Sequence, residues 1–131
     1  MRNLNALAAL AVLSVLGCTN PTEPALTGTW GGPEATVTLS ATSGTVEFAC
    51  GSGTIDAGWQ VDDEGRWQAS GQYFAGGGPL PSEGRPPHTA AYTGRLRGDL
   101  LIFTVNVPDL ATSLGPFIVR HNAPGASENC V

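Results

Sequence analysis

Three cysteines, two histidines and a run of three acids are the side chains in this sequence best equipped for chemistry. Cys18 directly follows an apolar stretch, Cys50 follows the alternating segment Val46-Glu47-Phe48, and Cys130 is next to the end. A thiol can accept a lipid, a metal or a second sulfur, and spacing decides between them. No C-x-x-C occurs, and His88 and His121 have no second ligand at helical or hairpin spacing. A zinc site needs three or four N, S or carboxylate ligands, so no metal site is expected. Asp62, Asp63 and Glu64 lack the alternating ligands and twelfth-position acid of an EF-hand, and with Gly65 they read as a solvated hairpin tip. No serine lies in G-x-S-x-G or S-x-x-K. The Gly76-Gly77-Gly78 run leads into Pro79 and not into a helix that could cradle phosphate. No catalytic residue and no cofactor is expected. A net charge of −5, from 6 basic and 11 acidic groups, carries no electrostatic footprint for nucleic acid.

Cys18 has a clearer chemistry. Met1-Arg2-Asn3 gives a short positive start, and residues 4–16 form an apolar run of Leu, Ala and Val. That run is the length of a signal-peptide core and too short to span a bilayer. Val15-Leu16-Gly17-Cys18 resembles the bacterial lipobox, in which the cysteine is diacylated and becomes the mature N-terminus. The resemblance implies a lipoprotein signal peptide over 1–17 and lipidation at Cys18. Thr19 is not Asp, so no inner-membrane retention signal is implied, and the outer membrane or cell surface is the expected address. Each buried methylene adds roughly 0.8 kcal/mol, so a multiply acylated cysteine anchors without a transmembrane helix. Residues 18–26 hold Pro21 and Pro24 among polar neighbours and read as a flexible tether.

The rest, 27–131, must then be one exported domain. The 18 glycines and 10 prolines of the whole chain argue against a helical bundle. Period-two alternation dominates. Ala35, Val37, Leu39 and Ala41 alternate with hydroxyls, residues 42–44 turn the chain, and Val46, Phe48 and Cys50 continue the apolar face. After Cys50-Gly51-Ser52-Gly53, short strands follow near 54–56 and 59–61. Beyond the acidic turn, Trp67, Ala69, Gly71 and Tyr73 share one face, as do Ala90, Tyr92, Gly94 and Leu96. Gly98-Asp99 supplies the first-position glycine of a type II′ turn, which accounts for the Arg97-Gly98-Asp99 tripeptide. Leu101, Phe103, Val105 and Val107 come next, and a last strand covers 116–121. The expected fold is all-β, a small antiparallel up-and-down barrel or closed meander of 7–8 strands. Closure removes the open edges that invite aggregation.

Export places Cys50 and Cys130 in an oxidising compartment. With Cys18 lipidated they can pair in one way. The closed loop of about 80 residues would stabilise the domain by roughly 4–5 kcal/mol in the chain-entropy model.

Thr29-Trp30-Gly31-Gly32 is similar to the opening of lipocalins and avidins, which implies a tryptophan packed across one end of a barrel. Across nearly the whole mature chain there is a second resemblance, to a widespread set of uncharacterised bacterial exported proteins. It is carried by Thr45-Val46-Glu47-Phe48 with Cys50, Gly53-Thr54-Ile55-Asp56, Gly76-Gly77-Gly78-Pro79, Tyr92-Thr93-Gly94-Arg95, Leu114-Gly115-Pro116-Phe117 and the cysteine near the end. It implies the barrel and the disulfide, and no activity. The segment Val46-Glu47-Phe48-Ala49-Cys50-Gly51-Ser52-Gly53 resembles the strand-cysteine-loop of lipoprotein lysozyme inhibitors.

Residues 75–88 are the most distinctive stretch. Four prolines without donors exclude it from a central strand. Leu80, Glu83, Arg85 and His88 offer an apolar tip, both charges and an imidazole, the makings of a partner loop. The expected function is that of a lipid-anchored, non-enzymatic envelope module binding a small apolar ligand or an envelope protein, or an inhibitor of an envelope-directed enzyme.

Cys18→Ala is expected to abolish lipid attachment and leave unprocessed precursor. Metabolic labelling with an alkyne fatty acid measures it, and equal label in wild type and variant would end the lipoprotein reading.

Overall fold

Threonine, valine and aromatic residues at every second position suit a pleated backbone with one buried face. The computed structural model describes residues 26–77 and 79–125, and the alternation folds there as nine strands. They are β1 (Gly28–Gly31), β2 (Ala35–Leu39), β3 (Gly44–Phe48), β4 (Gly51–Ile55), β5 (Gln60–Val61), β6 (Arg66–Ala75), β7 (His88–Arg97), β8 (Leu100–Val107) and β9 (Thr112–His121). A 3₁₀ turn, Pro108–Leu110, joins β8 to β9.

All pairings are antiparallel, consecutive strands pair except β4 with β5, and two pairings between non-consecutive strands close the sheet. Trp30 and Gly31 of β1 pair with His121 and Arg120 of β9. Ile55 to Gly51 of β4 pair with Gly71 to Ala75 of β6. Eight strands thus form a closed barrel, and β5 is a ninth. β5 continues β4 on the same edge of β6, pairing Val61 with Trp67 after a break at 56–59. Asp56 N–H donating to Ser70 O at 2.8 Å carries the ladder into that break.

The alternation defines two barrel ends. The chain enters at Leu26, and the turns at 40–43, 62–65 and 98–99 share this entry end. The connections at 32–34, 49–50, 76–87 and 108–111 lie at the far end.

Inward residues from every barrel strand meet in one core: Trp30, Val37, Leu39, Val46, Ile55, Trp67, Tyr73, Ala90, Tyr92, Leu101, Phe103, Val105, Val107 and Val119 are all buried. Fully burying each large side chain contributes about 1.5–3 kcal/mol. Four rings, Trp30, Trp67, Tyr92 and Phe103, are the largest side chains fully inside. Inner-wall glycines make room for them, since a Cβ on Gly53 would collide with the Tyr92 hydroxyl.

Several boundaries differ from the sequence reading. The closed barrel has eight strands, within the seven or eight expected, and β5 stands as an extra one. The strand expected near 54–56 begins three residues earlier, at Gly51, as β4. Cys50 is not inward: Phe48 pairs with Gly51, leaving Ala49 and Cys50 as an exposed two-residue turn. The last strand begins at Thr112, four residues early, with a register shift opposite 103–105 that accommodates Gly115-Pro116. Leu26, assigned to the tether, is fully buried.

After β9 the chain reverses at Asn122 (φ 62), whose N–H donates to Thr29 O at 2.7 Å. Ala123 and Pro124 then cross the outside of Gly31, and Gly125 lies on the Thr36 side chain.

Gly71→Ala tests the closure at β4–β6. Its methyl would overlap the Thr54 carbonyl of the paired strand, a backbone atom that cannot swing aside. A loss of about 2–3 kcal/mol is expected in urea unfolding. An unchanged midpoint would mean the two strands are not held this closely.

Candidate functional site

The far end collects the loop residues singled out above, and each has a different local role. Pro81 O accepts from Gly84 N–H at 2.9 Å, so 81–84 is a turn. Leu80 and Glu83 stand exposed on and beside it, Leu80 at 69%. Arg85 is half-buried and folds back, its Nη1 donating to Gly77 O at 3.0 Å. His88 opens β7, with Nδ1 3.6 Å from Asp109 Oδ2 on the 3₁₀ turn. The four therefore do not converge on one point. Arg85 braces the loop from within, and His88 faces the neighbouring connection.

That neighbouring connection adds a residue the sequence reading missed. Leu110, at the end of the 3₁₀ turn, is 42% exposed at the same barrel end as Leu80. In sequence it is one leucine after Pro108-Asp109, and only the topology places it beside the long loop's end of the barrel.

Phe48, Tyr73 and Phe117 form the aromatic layer beneath, with Phe48 centred 5.1 Å from Phe117 and 5.8 Å from Tyr73. Phe103, the cross-strand partner of Phe117, has its ring centred 5.2 Å from it and meets Trp67 edge-on at 5.9 Å. Trp67 Nε1 is the buried side-chain nitrogen without an acceptor among the described residues. The Tyr92 hydroxyl donates to Gln72 O at 2.9 Å. Burial first, then the charges of Asp56 and Tyr73, pushes its ionisation well above the ordinary phenol range.

At the entry end Trp30 Nε1 donates to Leu26 O at 2.9 Å, and its ring lies 4.5 Å from that of His121. His121 Nε2 is 3.1 Å from Thr27 O. The imidazole is thus part of the end plug. The acidic tip is a brace: Asp62 Oδ1 accepts from the N–H groups of Glu64 and Arg66, and Oδ2 from Arg66 Nε, each at 2.8 Å. Those bonds hold the Asp62 carboxyl below the usual carboxylate range. Asp99 likewise ties its turn to β9, through Arg120 at 2.8 Å and through its carbonyl to His121 N–H at 2.9 Å.

Outside the barrel, the break between β4 and β5 leaves a groove of about 320 Å³, lined by Gly58, Gln60, Gln68, Ser70 and Thr93 among others. Its lining is neutral and hydrogen-bonding, without an acid–base pair. Among the described residues no group of three His, Cys, Asp or Glu side chains could hold a metal ion. Cys18 and Cys130 lie outside the described residues.

Tyr92 supplies a pH test. The unfolded chain ionises its tyrosines near pH 10, while the folded barrel keeps Tyr92 neutral. The stabilisation is complete below about pH 10 and is lost as the pH rises from there toward the folded value. Melting temperature is expected to fall above that pH, and less steeply in Tyr92→Phe. Identical alkaline slopes would show that Tyr92 ionises freely in the fold.

Comparison with known proteins finds no matching family model, no matching curated protein and no matching solved structure.

Proposed function

We propose that this chain is an exported, lipid-anchored and non-enzymatic module of the bacterial envelope that engages a protein partner with its far-end loops. The observation that carries the reading is the pair Leu80 and Leu110, two exposed leucines on separate connections at the end opposite the chain's entry. A leucine left in water on a braced loop forfeits burial that a partner can supply. Tethering through Cys18 puts the anchor at the entry end and leaves these loops at the opposite end from it.

The filled interior favours a protein partner over a small apolar ligand. Trp30, Trp67, Tyr92 and Phe103 occupy the space that a ligand-binding barrel keeps open. A second reading, inhibition of an envelope-directed enzyme such as lysozyme, draws on the position of the Ala49–Cys50 turn at this same far end.

The tail's course supports pairing of Cys50 with Cys130. Thr36, against which Gly125 rests, pairs with Glu47, three residues before Cys50. One strand step and three residues amount to roughly 11 Å. Five residues from Gly125 to Cys130 span up to about 17 Å, which suffices.

A photo-crosslinking amino acid at position 80 or 110, in intact envelopes, is expected to capture one protein species that the same probe at Thr45, outward on β3, does not. Leu80→Asp should remove that species while changing stability by under about 0.5 kcal/mol. Equal capture from position 45, or none from 80 and 110, would overturn the reading. If the purified protein inhibits lysozyme, the second reading replaces the first.

A further inference from the structure

Among the described residues three large apolar side chains are exposed, and Ile118, at 56%, is the one that lies within a strand. The register shows what surrounds it. Ile118 pairs with Ile102 of β8, Ile102 with Arg95 of β7, and Arg95 with Arg66 of β6. On the next outward rung toward the entry end, Arg97 pairs with Leu100 and Leu100 with Arg120. The outer wall of β7, β8 and β9 therefore sets Leu100, Ile102 and Ile118 among Arg95, Arg97 and Arg120.

Two of these three arginines are not spent on local acids. Arg120 is held by Asp99 and Arg66 by Asp62 and Glu64, but among the described residues no ion pair engages Arg95 or Arg97. In a chain of net charge −5 this leaves one wall with uncommitted positive charge around aliphatic side chains. That combination fits a bilayer surface, where guanidinium groups meet phosphates and aliphatic side chains enter the headgroup boundary.

We propose that this wall is a second membrane contact, docking the barrel side-on against anionic phospholipid. The inference rests on the lipid anchor proposed above. The described chain enters at Leu26, at the same end as Arg97 and Arg120, and Cys18 is eight residues upstream. Eight extended residues reach at most about 28 Å, so the anchor keeps this wall within reach of the membrane that holds it. The acidic tip at 62–64 sits at the β6 border of this wall, where Gly65 O accepts from Leu96 N–H at 2.7 Å and Arg66 takes up both Asp62 and Glu64.

The test uses lipidated full-length protein on phosphatidylcholine vesicles with or without phosphatidylglycerol. A benzophenone amino acid replaces Ile118 or, as control, Thr45. Phospholipid adducts at position 118 are expected to exceed those at 45 several-fold, and only with phosphatidylglycerol present. Arg95→Glu and Arg97→Glu should each lower the yield about fivefold or more, the preference one arginine has for an anionic surface. Equal adducts at 118 and 45, or adducts at 118 to protein in place of lipid, would overturn the docking wall and leave the anchor standing. Protein that does not float with either vesicle would overturn anchor and wall together.

Discussion

An eight-stranded barrel encloses a fixed cross-section, and everything in this fold follows from the need to fill it. Strand number and tilt determine how much side-chain volume must converge on the axis. Here the volume comes from four rings: Trp30 near the entry end, and Trp67 with Tyr92 and Phe103 centred 6.2 Å and 5.9 Å from it. The wall yields where the rings press on it. Glycine at 53 leaves room for the Tyr92 hydroxyl, and glycine at 94 for the backbone and Cβ of Phe103. Large residues and absent side chains are two halves of one packing solution.

A filled interior moves recognition to the outside, where the two ends and the walls differ in kind. The far end presents leucines on a proline-braced loop and a 3₁₀ turn. The entry end is sealed by Trp30 and His121 and rimmed by turns that use their own acids, Asp62 and Asp99, to hold backbone and arginine. One wall is neutral and amide-rich at the β4–β5 break, and another carries arginine with isoleucine.

Much of the fold was legible because strand period is local. The inward sets at Trp67 and Tyr73, at Ala90 and Tyr92, and from Leu101 to Val107 follow from alternation alone, and all are buried. Legibility ended where an outcome depended on pairing between distant segments. Cys50 continued an apolar alternation, yet the Phe48–Gly51 pair put it in a turn. Thr112 to Gly115 had too little apolar alternation to read as strand, but the neighbouring β8 supplies a ladder that extends to Val107. His121 looked like a strand-end histidine, and its place on Trp30 arises from a contact across almost the whole domain. Of the expected loop residues, Leu80 and Glu83 are exposed as read, whereas Arg85 turns inward for a carbonyl that composition could not reveal. The basic-apolar wall needs three registers at once and has no signature along the chain.

The seam between β1 and β9 is only two residue pairs long, and it joins the first strand to the last. A ribosome delivers Trp30 long before His121. Until the final strand arrives, β1 can hold β2 but has no partner on its other edge, and the plug that seals the entry end lacks its imidazole. Loop closure of this length slows folding more than it weakens the product. Closure of the ring therefore depends on the C-terminal strand, and without β9 both β1 and β8 would keep an open edge and the core an uncovered side.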